Sequence, residues 1–113
     1  MNIRLFRKIV DSIMESLPPG LYRQLNGGVL AIPDLKEDGE LLVMGEYVED
    51  PGMGRLVLLY YGSFAEMLGG APRSEWEEEI EETLIHELRH HAEALAGVDY
   101  LSAEESGELF AQE

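Results

Sequence analysis

The chain has 113 residues, enough for one domain, and its 45% hydrophobic and 27% charged content is that of an ordinary globular protein. Eight basic against 23 acidic side chains give a formal net charge of −15. That sign excludes nucleic acid and anionic membrane surfaces as expected partners, because both are bound through Lys and Arg. The absence of cysteine excludes disulfides, thiolate nucleophiles and Cys-ligated metals, and a reducing cytoplasm is the expected setting.

In chain order, Ile3, Phe6, Val10, Ile13 and Leu17 recur at three- and four-residue steps, with Leu5, Ile9 and Met14 widening the stripe. This spacing predicts an amphipathic helix over 2–17 with one face for a core. Pro18-Pro19-Gly20 ends it, and a short helical turn fits Leu21 to Leu25 before Asn26-Gly27-Gly28 breaks the chain again. Three strand-like segments follow: Val29–Ile32, Leu41–Val48 with Gly45 inside it, and the apolar and aromatic run Arg55–Tyr61. Glu49–Gly54, with its Pro-Gly, reads as a hairpin loop between the last two. Ser63–Leu68 is suited to one or two helical turns.

The most strongly specified element opens at Ser74. Glu77 three residues later completes a capping-box pattern, and Glu75, Glu77, Glu78 and Glu79 lie where the helix dipole favours negative charge. Gly97 is the natural stop, which predicts a helix of about 22 residues. Ser102 with Glu105 opens a short terminal helix through Phe110. The fold class is α+β: a small three-stranded sheet, antiparallel or mixed, packed with an N-terminal helix and this long helix in a single domain over 1–113.

Within the long helix lies His86-Glu87-Leu88-Arg89-His90, followed by His91. Residues four apart on a helix return to one face about 6 Å further on, so His86 and His90 are spaced to chelate one ion. Glu87 then stands beside it as a base for bound water. Chance yields the five-residue string on the order of once in a hundred shuffled chains of this composition. On a helical wheel Trp76, Ile80, Leu84, Leu88, Ala94 and Leu95 form the core arc, while His86, His90, Glu79 and Glu93 share the adjoining one. His91 points into the apolar arc and is expected to be a packed, hydrogen-bonded imidazole. Tyr60 and Tyr61 are expected to pack within their strand, and the acidic run 77–82 to be a solvated face.

These features resemble the zincin-like metallopeptidases, in particular the small single-domain minimal zincins. The resemblance rests on Thr83-Leu84-Ile85-His86-Glu87-Leu88-Arg89-His90-His91, on the chain length, and on a short sheet preceding the helix. It implies a zinc ion held by His86, His90 and a third ligand, a water of lowered pKa in the open position, and Glu87 as the catalytic base acting on a peptide bond. It implies an edge strand that holds the substrate backbone, for which Leu41–Val48 and Arg55–Tyr61 are available. Short peptides or flexible protein segments are the expected substrates. The third ligand departs from the family pattern, because Tyr100, three residues after Gly97, is neither Asp nor Ser. Glu93, seven residues after His86 on the same face, is the preferred candidate and Asp99 the alternative. The competing functional readings are a non-catalytic metal-binding or protein-interaction module that retains the helix, and an acidic binding domain with incidental histidines.

Overall fold

Helix α1, Ile3–Ser16, starts where the Asn2 side chain accepts a hydrogen bond from the Leu5 amide at 2.9 Å and ends before Pro18. Its stripe buries Phe6, Ile9 and Val10. The computed structural model describes the backbone of residues 1–103 and the side chains of residues 1–97. A 3-10 turn at Pro19–Leu21 follows, shorter and earlier than the turn expected at Leu21–Leu25. The remaining elements are β1 (Gly28–Ile32), β2 (Glu37–Asp38), β3 (Leu41–Leu42), β4 (Gly45–Asp50), β5 (Gly54–Tyr60), α2 (Tyr61–Leu68) and α3 (Arg73–Ala103).

The three-stranded sheet has the order β1-β5-β4 and is mixed. β1 runs parallel to β5, with Leu30 opposite Leu58, and β4 runs antiparallel to β5, with Tyr47 opposite Val57. The β4–β5 turn is held by Asp50, whose carboxylate accepts from the Gly52 and Met53 amides at 2.8 Å each. Gly54 closes it at φ +83°, a left-handed conformation that a side chain disfavours. The expected single strand Leu41–Val48 is two strands. Leu41–Leu42 pairs back on Glu37–Asp38, the Val43 amide donates to the Lys36 carbonyl, and only from Gly45 does the chain join β5. The break follows from pairing: two partners lying in different directions claim the two halves.

One face of the sheet carries the helices. Val57 and Leu59 of β5 pack with Phe6, Ile9 and Val10 of α1, Phe64 of α2, and Trp76, Ile80, Leu84 and Leu88 of α3. Phe6 lies edge-on to Tyr61 and Trp76, at centroid distances of 5.2 and 6.3 Å. The four α3 residues are the i, i+4 stripe of the predicted core arc, so the face turned away from the sheet is fixed by default.

Helix α3 differs from expectation at both ends. It starts one residue earlier, with the Pro72 carbonyl accepting from the Glu75 and Trp76 amides. The Glu77 carboxylate is engaged by Arg73 at 2.8 Å instead of reaching back to Ser74, so the capping box is not the working cap. Gly97 does not stop the helix, which has 31 residues and continues through Ser102. A helix-interior glycine costs only about 1 kcal/mol relative to alanine, and the Ala94-Leu95-Ala96 run before it favours continuation. The terminal helix expected from Ser102 to Phe110 therefore has no separate start, and residues 104–113 lie outside the described part.

Candidate metal centre

The site is built on the middle of α3, where it crosses the edge strand β4. The crossing is close because position 45 is glycine. A Cβ there would stand 2.9 Å from the Thr83 methyl and 3.1 Å from the Leu58 carbonyl oxygen. Thr83 cannot turn aside freely, since its hydroxyl donates to the Glu79 carbonyl at 2.9 Å. One and two turns further along the helix, Glu87 and His91 are buried, with 7% and 1% of their surface exposed.

His86 and His90 sit on the flank of that buried stripe and are exposed. Their Nε2 atoms converge to 3.3 Å, with the rings nearly perpendicular at 87°. The other ring nitrogen of His90, Nδ1, lies 3.5 Å from a Glu93 carboxylate oxygen. Glu93 is thus at the outer edge of the His90 ring and not at the Nε2 pair. Among the described residues no three His, Asp or Glu side chains converge as an ion-holding group. The Asp99 backbone continues α3, and its side chain falls outside the described ones.

Burial holds the Glu87 carboxyl above the ordinary glutamate range, an effect opposed by the nearby His86 and His90 and reinforced by the negative charge of Glu46. Glu46 and its partners form a second polar group that sequence patterning did not single out. Its carboxylate accepts from the Tyr60 hydroxyl and pairs with the Lys36 ammonium, each at 2.7 Å. Those two hydrogen bonds hold the Glu46 carboxyl below its usual range. Only the strand parity of Glu46 was visible in the sequence; its partners come from 14 and 10 residues away. Tyr60 is buried, as strand packing requires. His91 is the packed, hydrogen-bonded imidazole expected: its Nδ1 meets the Tyr47 hydroxyl and its Nε2 the Arg23 carbonyl oxygen, both at 2.8 Å. A cleft of about 170 Å³ lined by Leu21, Arg23, His91 and Leu95, among others, lies beside that imidazole, and its lining includes neither His86, Glu87 nor His90.

A family model described as zincin-like metallopeptidase matches residues 38–103, more than half of the chain and the stretch from the last residue of β2 through α3. The chain belongs to this family. No curated protein matches the sequence. A solved structure, that of a conserved hypothetical protein from Thermus thermophilus, is 38% identical, with 85% of this chain and 98% of that chain covered and a TM-score of 0.75. The match supports the α+β architecture: among the described residues, three α-helices and a small mixed three-stranded sheet, with the histidine-bearing helix packed against the edge strand β4. Among the described residues, no helix is long and apolar enough to cross a membrane.

Proposed function

We propose that this zincin-like protein is a zinc-dependent peptidase in which His86 and His90 hold the ion and Glu87 is the catalytic base. The observation that carries the reading is the 3.3 Å separation of the two Nε2 atoms. Two nitrogens bound to one tetrahedral zinc at about 2.0–2.1 Å stand about 3.3–3.4 Å apart, so the spacing of the pair matches that of two ligands on one ion. The Glu93 carboxylate lies 3.5 Å from Nδ1 of His90 and so leaves the Nε2 side of the ring open. Asp99 lies on the same unbroken helix, nine residues and about 13 Å along its axis from His90, too far for its carboxylate to reach the pair, so a rotated Glu93 side chain or a residue beyond the described ones would complete the coordination. A divalent ion bound there polarises a carbonyl oxygen and makes water more acidic.

The protein's own part falls to Glu87 and β4. Glu87 has no side-chain hydrogen-bond partner among the described residues, and its raised proton affinity suits a base that takes a proton from the attacking water and returns it to the leaving amine. β4 supplies the strand that holds the substrate backbone. β5, the other candidate, is paired on both sides and has no free edge, whereas β4 ends the sheet. An extended peptide or a flexible protein segment fits such an edge. The lack of cysteine supports a cytoplasmic setting.

Glu87→Gln is the direct test. The variant is expected to keep stoichiometric zinc by elemental analysis and to lose about 10²–10⁴-fold in hydrolysis of a peptide library. Unchanged turnover overturns the role of Glu87. The absence of a third ligand among the described residues favours the second reading, a non-catalytic metal-binding module. In that case zinc removal lowers the melting temperature while no metal-loaded preparation cleaves any peptide.

A further inference from the structure

Thr83, Glu87 and His91 are spaced one helical turn apart; Thr83 and His91 meet β4, and Glu87 is buried. The strand touches the helix at both ends of this row. At one end the missing side chain of Gly45 lets the Thr83 methyl close in. At the other, Tyr47, two residues along and hence on the same strand face, meets His91: hydroxyl to Nδ1 at 2.8 Å, ring centroids 5.3 Å apart. Glu87 lies between the two contacts.

The His91 imidazole is fixed at both nitrogens. A carbonyl oxygen only accepts, so Nε2 donates to Arg23, and in the neutral ring Nδ1 then accepts from the Tyr47 hydroxyl. Neither nitrogen is left for an ion, although the ring directly follows His90. The chain Tyr47–His91–Arg23 instead ties three separate parts of the fold: the edge strand, the histidine-bearing helix and the segment after the 3-10 turn.

We propose that this chain is a strut that sets the height of the β4 edge above the His86/His90 pair, making Tyr47 and His91 positioning residues for the substrate backbone; the inference rests on the peptidase reading. A backbone hydrogen-bonded to β4 inherits the position of β4, and a misplacement of about 1 Å at a reacting centre costs about 10²-fold in rate.

Two substitutions separate the links. Tyr47→Phe removes the hydroxyl and keeps the ring. His91→Phe keeps a packed ring and removes both the acceptor for Tyr47 and the donor to the Arg23 carbonyl. In the zinc-loaded protein each is expected to lower kcat at least tenfold with KM changed less than threefold, and the double variant to be no worse than the weaker single one. Zinc content stays at the wild-type level. Amide hydrogen exchange in β4, read at Tyr47–Glu49, is expected to speed at least tenfold, with Phe6–Val10 of α1 unchanged. Wild-type kcat together with unaltered β4 exchange overturns the strut, as does a rise in exchange shared equally by α1, which marks a merely global loss of stability. Should the wild-type protein cleave no peptide, the peptidase reading fails by itself, and the exchange measurement still decides whether Tyr47 and His91 hold the strand.

Discussion

Replacing Gly45 by alanine tests how tightly the edge strand is seated on the histidine-bearing helix. The added Cβ meets the Thr83 methyl at 2.9 Å, the Leu58 carbonyl oxygen at 3.1 Å and a Leu59 methyl at 3.2 Å, where ordinary contact begins at 3.4 Å. Strand and helix must therefore part by about 0.5 Å, because the Thr83 rotamer is held by its bond to the Glu79 carbonyl. Overpacking of this kind costs about 1–3 kcal/mol, or about 4–12 °C in Tm at roughly 4 °C per kcal/mol for a domain of this size. Thr83→Ser removes the offending methyl and keeps the hydroxyl bond, so the double variant should recover about half of the loss or more. The remaining contacts, to Leu58 and Leu59, set the unrecovered part. Thermal unfolding of the four proteins of the cycle, metal-free, gives the coupling directly. If Gly45→Ala melts with the parent, or if Thr83→Ser adds a second loss on top of the first, the close seating of β4 is wrong.

Three further outcomes follow from the same geometry. Because burial raises the Glu87 pKa above its ordinary 4.5, the metal-free wild type loses stability as pH rises through the folded-state value, whereas Glu87→Gln does not titrate. The variant should thus melt higher than wild type near pH 7, with the advantage vanishing below about pH 4.5; an advantage that grows on acidification contradicts the burial argument. Leu84→Ala, at a fully buried position in the core between α3 and the sheet, should cost about 2–5 kcal/mol in chemical denaturation, and a loss under 1 kcal/mol means the core is not where we place it. The charge of −15 should steer cationic peptides to the protein, so kcat/KM for a Lys-containing peptide is expected to exceed that for its Glu counterpart and to fall as salt rises from 0.05 to about 0.5 M. Equal rates at low salt refute the steering.

The parts of this molecule that depend on local periodicity were legible in the amino-acid order. The α1 stripe from Ile3 to Leu17, the α3 stripe Trp76, Ile80, Leu84 and Leu88, and the return of His90 to the face of His86 all follow from 3.6 residues per turn. So did the burial of His91, though not its partners, since Tyr47 and Arg23 lie 44 and 68 residues away. Pairing decided what periodicity could not. The Leu41–Val48 run has the composition of one strand, but β2 and β5 divide it; Ser74 and Glu77 have capping-box spacing, but Arg73 takes the glutamate. Gly97 has the identity of a helix stop without the left-handed conformation that makes glycine one. Glu93 shares the histidine face as the wheel indicates, yet a side chain three residues from His90 reaches the near nitrogen of that ring and not the far one.

The proposed activity requires one ion held between two imidazoles. Anomalous scattering from a zinc-loaded crystal measures this directly. We expect a single peak within about 2.0–2.1 Å of both the His86 and His90 Nε2 atoms, with the Glu87 carboxylate beside it and a third protein ligand from the C-terminal part of the chain. Density elsewhere, or zinc bound by one of the two rings alone, contradicts the claim.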